Sequence, residues 1–211
     1  MKNYTQLLSI GLMLFAILAL GSCRGKMTKK AVKKGDVFKA SIEDFEKNRQ
    51  KFASQVSETI GEANESLAEE DPNTEEISTD FEKEWNKIQG RYKKMKNDFD
   101  DVRNSSNAYF EHLDELANGI NSEELRTTEL KKNTELNIVW EKQYLEAEKS
   151  IQAVDQVLIE GNDFHRVLLL SSVRDKIQQN IDNLNELSEQ AETLLKDLEA
   201  FTEAGRELAS K

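Results

Sequence analysis

From Phe81 to Ile120 the chain places Phe81, Trp85, Ile88, Tyr92, Met95, Phe99, Val102, Ser106, Tyr109, Leu113, Leu116 and Ile120 at alternating steps of four and three residues. Only Ser106 in that series is neither apolar nor aromatic, and the positions between are mostly Lys, Glu, Asp and Asn. Steps that average about 3.5 residues keep these side chains on one stripe of a helix. Such a helix is roughly 60 Å long and cannot bury its own stripe, so other helices must cover it. The expected fold class is all-α: an elongated coiled-coil bundle of long antiparallel helices.

The rest of the sequence supplies the covering helices. With one proline and nine glycines there are few chain breakers and few of the turns that an all-β protein needs. From Asp36, read as an N-cap, Phe38, Ile42, Phe45, Arg49, Phe52, Val56 and Ala63 mark a first helix to about Ala68, with Glu43 and Lys47 as an outer i,i+4 pair. Asp71-Pro72 stops it, and the Phe81 helix follows until Asn118-Gly119. Asn121 with Glu124 reads as the capping box of a third helix whose stripe is Leu125, Leu136, Trp140, Tyr144, Ala147, Ile151, Val154 and Leu158. Gly161-Asn162 reads as a break, and a fourth helix then carries Phe164, Val167, Leu170, Ile177, Ile181, Leu184, Ala191, Leu195, Leu198 and Phe201. Short breaks make sequential helices antiparallel, so an up-down-up-down four-helix bundle is expected over 36–211. Two separate hairpins, or a three-helix rod with a mobile first helix, are the alternatives.

The opening residues are of another kind. Lys2 gives a small positive start, and the apolar stretch from Leu7 to Leu20 is too short to span a bilayer but suits a signal-peptide core. It ends in Leu20-Gly21-Ser22-Cys23, which resembles the lipobox of bacterial lipoproteins, and Cys23 is the single cysteine of the chain. The resemblance implies that residues 1–22 are a signal peptide, cleaved before Cys23, whose sulfur then carries a diacylglycerol and whose amino group is acylated. Several acyl chains exceed what stable anchoring needs, at about 0.8 kcal/mol per buried methylene. Lipoproteins held at the inner membrane commonly carry Asp after the cysteine, whereas Arg24 stands here. That implies the outer membrane, facing the periplasm. Residues 23–35 read as a basic tether in which Arg24, Lys26, Lys29, Lys30, Lys33 and Lys34 are placed to meet anionic headgroups.

Charge and motifs narrow the function. All 40 acidic residues follow position 34; setting aside Lys2 and the six bases of the tether leaves 22 basic residues and a net charge of −18 beyond it. Such a body repels nucleic-acid phosphates, so no nucleic-acid partner is expected. The two histidines, His112 and His165, lack the Glu-x-x-His spacing of di-iron bundles, and HExxH, GxSxG, GxGxxG, P-loop and EF-hand patterns are missing. An acylated Cys23 cannot serve as a nucleophile. Acidic groups such as Glu69-Glu70-Asp71 and Asp98, Asp100 and Asp101 read as solvated faces or caps rather than metal ligands. Trp85, Trp140, Tyr92, Tyr109 and Tyr144, at seam spacing, read as core, and His112 as a boundary residue. No enzyme activity, cofactor or metal is therefore expected.

In its order of lipobox, basic segment and long amphipathic helices, with phrases such as Leu194 to Phe201 near the end, the chain also resembles uncharacterised all-helical bacterial envelope proteins grouped as a domain of unknown function. That resemblance brings no catalytic residues. The function expected is a lipid-anchored, non-enzymatic scaffold or adaptor of the bacterial envelope, with the membrane and another envelope protein as partners. The rival is a periplasmic chaperone-like protein, which requires exposed apolar surface beyond the bundle's needs. Arg49, at a seam position, either meets an acid from another helix and fixes register or opens to water at a partner-binding groove.

Overall fold

The computed structural model describes residues 24–171 and 177–210, with side chains described over 33–170 and 178–210. They form α1 (Arg24–Leu67), α2 (Thr74–Asn118), α3 (Glu123–Ser171) and α4 (Ile177–Ala209), with no strand among the described residues. Each helix packs on its neighbours in sequence and α1 packs on α4, closing a four-membered ring. Cross-links run in opposite senses along each pair, as antiparallel packing requires. Ser41 meets Ser105 and Gln55 meets Glu84, Ser78 meets His165 and Tyr92 meets Ile151, and Glu43 meets Arg206 while Asn64 meets Asn185. The chain is an all-α, up-down-up-down four-helix bundle.

Aromatic rings from all four helices meet in the middle. Phe45 of α1, Phe99 of α2, Tyr144 of α3 and Phe201 of α4 form one cluster, with Phe99 stacked on Tyr144 at 4.4 Å and 5.3 Å from Phe201. The seam aromatics expected to fill the interior do so: Trp85, Tyr92, Trp140 and Tyr144 are buried, and Tyr109 is half-buried against the core. Stacked and edge-on rings fill the wide interior that long helices leave between them.

The seam of α2 follows the sequence stripe as far as Ser106 and then shifts by one residue, burying Phe110 and Ala117 while Tyr109, Leu113 and Leu116 stay half-buried. A 3.5-residue repeat drifts by about 20° per heptad on a straight helix. Four heptads after Phe81 the lag approaches the angle between successive residues, and the next residue takes over the inward position.

The helix ends differ from the expectation at three places. The first helix begins at Arg24, so Asp36 is inside it and caps nothing; the segment 24–34 holds five lysines together with Arg24, Met27 and Ala31, all good helix formers. The cap of α3 is Ser122, whose hydroxyl accepts from the backbone N–H of Leu125, rather than Asn121. Gly161-Asn162 does not break α3, which runs on to Ser171, and Phe164, Val167 and Leu170 therefore belong to α3. The reason is packing: a Cβ on Gly161 would lie 1.9 Å from Cζ2 of Trp85, so the glycine admits the indole against the α3 backbone. That contact is secured by Trp85 Nε1 donating to Leu158 O at 3.2 Å. Between α1 and α2 the expected stop at Pro72 holds, and Asn73 caps α2 by accepting from Glu76 N.

Candidate functional site

Arg49 sits on the inner side of α1 and is 6% exposed. Its Nε and Nη2 donate to the two carboxylate oxygens of Glu46 at 2.7 and 2.8 Å, and Nη1 donates to the backbone carbonyl of Leu195 on α4 at 3.0 Å. Glu199 of α4 adds a longer pair at 3.8 Å. The guanidinium does not open to water. Its acid is a residue three places back on the same helix, and α4 contributes a carbonyl and a peripheral carboxylate. Burial pushes the Glu46 carboxyl up, but the bonds and charge of Arg49, with a further bond from Gln50, prevail and hold it below the usual carboxylate range. The fork to Glu46 holds the guanidinium in one orientation on α1, and its bond to the Leu195 carbonyl then ties α1 to α4. Beside it Asn48 joins α1 to α2 by donating to Asp98, which also pairs with Lys94 at 3.2 Å. Asp98 is therefore a buried tie rather than a solvated acid.

The histidines are tied off in similar ways. His112 is buried, not at a boundary, and its Nδ1 lies 2.6 Å from Glu115. His165 Nδ1 lies 2.9 Å from the hydroxyl of Ser78, and its Nε2 is 3.8 Å from Glu82. A serine, a histidine and an acid are thus neighbours, but Ser78 is fully buried and also bonds to the carbonyl of His165 at 3.1 Å. A nucleophile must reach a substrate, and this hydroxyl joins α2 to α3 inside the bundle.

The phenols follow the same logic. Burial pushes Tyr144 up to about 12 although the Arg103 guanidinium, 4.5 Å above its ring, pulls the other way. Tyr92, which donates to Ile151 O at 2.7 Å, is raised by burial and by the nearby Asp155 carboxylate.

What the bundle leaves outside is unevenly distributed. Of the eight large hydrophobic side chains exposed among the described residues, seven are on α3: Leu125, Ile138, Val139, Leu145, Ile159, Leu169 and Leu170. Leu125 and Leu170 had been expected to face the core. Ile138, Leu145 and Ile159 recur at multiples of seven residues, so they share one outward side of α3, opposite the inward series Trp140, Tyr144, Ala147, Ile151 and Val154. Ile138 and Leu145 are 64% and 49% exposed and line a shallow apolar groove flanked by Glu141, Lys142, Glu146 and Lys149. The seven-residue spacing was the signal for this second stripe, and the stronger inner stripe of the same helix masked it.

Cys23 lies outside the described residues. Arg24, Lys26, Lys29 and Lys30 lie on the helical backbone of α1, while Lys33 is exposed and Lys34 half-buried. No helix among the described residues is long and apolar enough to cross a membrane. No family model, curated protein or solved structure matches this chain.

Proposed function

We propose that this chain is a non-enzymatic, lipid-anchored helical scaffold or adaptor of the bacterial envelope, held to the outer membrane by an acylated Cys23 and docking another envelope protein along the outer side of α3. The observation that carries the reading is the concentration of exposed large hydrophobic residues on that one helix. Apolar residues at multiples of seven along one helix are what a partner helix laid alongside recognises. The buried polar groups favour a structural body over an active site, because Arg49, Asn48 and Ser78 each bond across helices. The basic run supports the anchored end: positions 26, 29, 30, 33 and 34 fall on one side of a helix at these spacings, suited to anionic headgroups.

The chaperone-like reading draws on the same apolar surface. It fits less well because the apolar groove is shallow, lies on one helix and has charged flanks, where a client cradle is built between helices. A photo-crosslinking residue at position 145, in intact cells, separates the two. Capture of one or two defined envelope proteins is expected, and a broad set of exported clients instead would favour the chaperone. The anchor has its own test. Cys23→Ser should abolish acylation and leave an uncleaved precursor, whereas mass spectrometry showing an unmodified mature cysteine in the native protein would overturn the anchored reading.

A further inference from the structure

The outward side of α3 carries charge in a pattern of its own. From Ile138, steps of four and three residues that keep to one stripe of a helix run through Lys142, Leu145, Lys149, Gln152, Gln156 and Ile159, and every one of these residues is exposed. In a chain with 40 acidic and 29 basic residues, this line holds two lysines and no acid. Both ammonium groups are available. Lys142 is 73% exposed, and its one ion pair among the described residues is with an exposed Glu146 at 3.9 Å. Lys149 has no ion pair or hydrogen bond among them. The neighbouring acids Glu141 and Glu146 flank the line on opposite sides, and Glu141 leans toward α2, where Arg103 lies 3.8 Å away.

We infer that the partner docking along α3, the reading on which this rests, presents an acidic amphipathic helix, with apolar residues on Ile138 and Leu145 and carboxylates on Lys142 and Lys149. The two lysines stand seven residues apart, about 10 Å along the axis, so the partner's acids need the same two-turn spacing on one side of their helix. From Ile138 to Ile159 the line is about 32 Å long, which roughly six turns of a partner helix would cover. Lysine stems lie along apolar surface while their ammonium groups reach the rim, so these positions add contact as well as charge. Charges beside an apolar seam set the choice of partner. A membrane fits less well, because Glu141 and Glu146 would face the same anionic headgroups as the lysines. A second copy in parallel register would set Lys142 and Lys149 against themselves.

The test is calorimetric titration of the full chain, at low salt, with two synthetic helical peptides of about three heptads, each with leucine along its seam and either glutamate or lysine beside it. The chain's net charge of −11 favours the lysine peptide. The opposite order is expected, with the glutamate peptide bound about tenfold tighter, and Lys142→Glu/Lys149→Glu should reverse the preference with helicity intact. Equal or tighter binding of the lysine peptide, no binding of either, or an unchanged preference in that variant would overturn the inference. Ile138→Ser/Leu145→Ser separates it from the docking reading beneath. If the native chain binds both peptides alike and this variant binds neither, α3 still docks a helix and only its acidic character falls; if the variant binds both as before, docking along this line falls as well. Dimerisation of the native chain that is lost in Lys142→Glu/Lys149→Glu would assign the face to a second copy. Immersion of a spin label at position 139 in vesicles of anionic phospholipid would assign it to a membrane, and either result would overturn the acidic helix.

Discussion

α2 and α3 are antiparallel neighbours of similar length, 45 and 49 residues, yet they divide their apolar residues differently. α2 turns its large hydrophobics inward and exposes none of them among the described residues, whereas α3 exposes seven. The two share one interface, so the difference is not in how well they pack against each other. It is in the far side. On α2 that side is charged, with Lys83, Lys87, Arg91, Lys93 and Asp100 in water. On α3 it carries Ile138, Leu145 and Ile159. Hydrophobic residues on the inner side report what the fold needs. On the outer side of a helix already buried along its other side, they report something the fold does not need, and that is where a partner is to be sought.

The largest effect should come from the inner side of α2. Phe99→Ala removes the ring that touches Phe45, Tyr144 and Phe201, and should cost about 3 to 5 kcal/mol in denaturant melts. If Leu145→Ala cost as much, the contrast between inner and outer sides would be broken.

Arg49 on α1 sharpens the comparison, because it is polar and yet buried like Phe99. Arg49→Leu leaves the Glu46 carboxylate in the interior without its guanidinium, and should cost about 3 to 5 kcal/mol near neutral pH. The pH dependence tells this apart from a packing defect. In the native chain Glu46 is held low, so its contribution is present above the unfolded carboxyl value and lost as pH falls through the folded one. In Arg49→Leu burial is opposed only by the bonds from Thr202 and Gln50, so the folded value rises and part of the lost stability should return on mild acidification. A penalty that stays constant from pH 7 to 4 would mean that the ion pair is not its source.

Gly161→Ala tests the inner side of α3. The added methyl meets the Trp85 indole, and overpacking of this kind costs about 1 to 3 kcal/mol, although alanine is the better helix former. A stabilised Gly161→Ala variant would show that the indole moves aside freely.

The legibility of the fold follows the same division. The seam of α2 could be read in the sequence because one side is apolar and the other charged, and Phe81 through Ser106 are buried as the spacing predicts. α3 blurred the pattern in two ways: glycine at 161 reads as a stop when its cause is an indole from another helix, and apolar residues on both sides conceal which one faces in. That Arg49 needs a partner followed from its place between Phe45 and Phe52, but not which partner. Glu46 stands three residues earlier in the same sequence, while the Leu195 carbonyl is brought there only by the closing of α4 onto α1.

The smallest effect on stability should come from the outer side of α3, and it carries the most functional weight. Ile138 keeps well over half of its surface in water and Leu145 about half, so Ile138→Ser with Leu145→Ser removes little that folding had buried. Serine is a weaker helix former than leucine by about a few tenths of a kcal/mol and nearly equal to isoleucine, so each change should stay within about 0.5 kcal/mol. The same double variant should lower the fluorescence of a dye that reports exposed apolar surface. It should also abolish capture of the envelope partner by a crosslinker placed at position 142 of the same helix. A double variant that unfolds would show that these side chains belong to the core. One that stays folded, loses dye binding and yet captures the partner as before would place docking elsewhere on the bundle, and the excess of apolar residues on α3 would then need another cause.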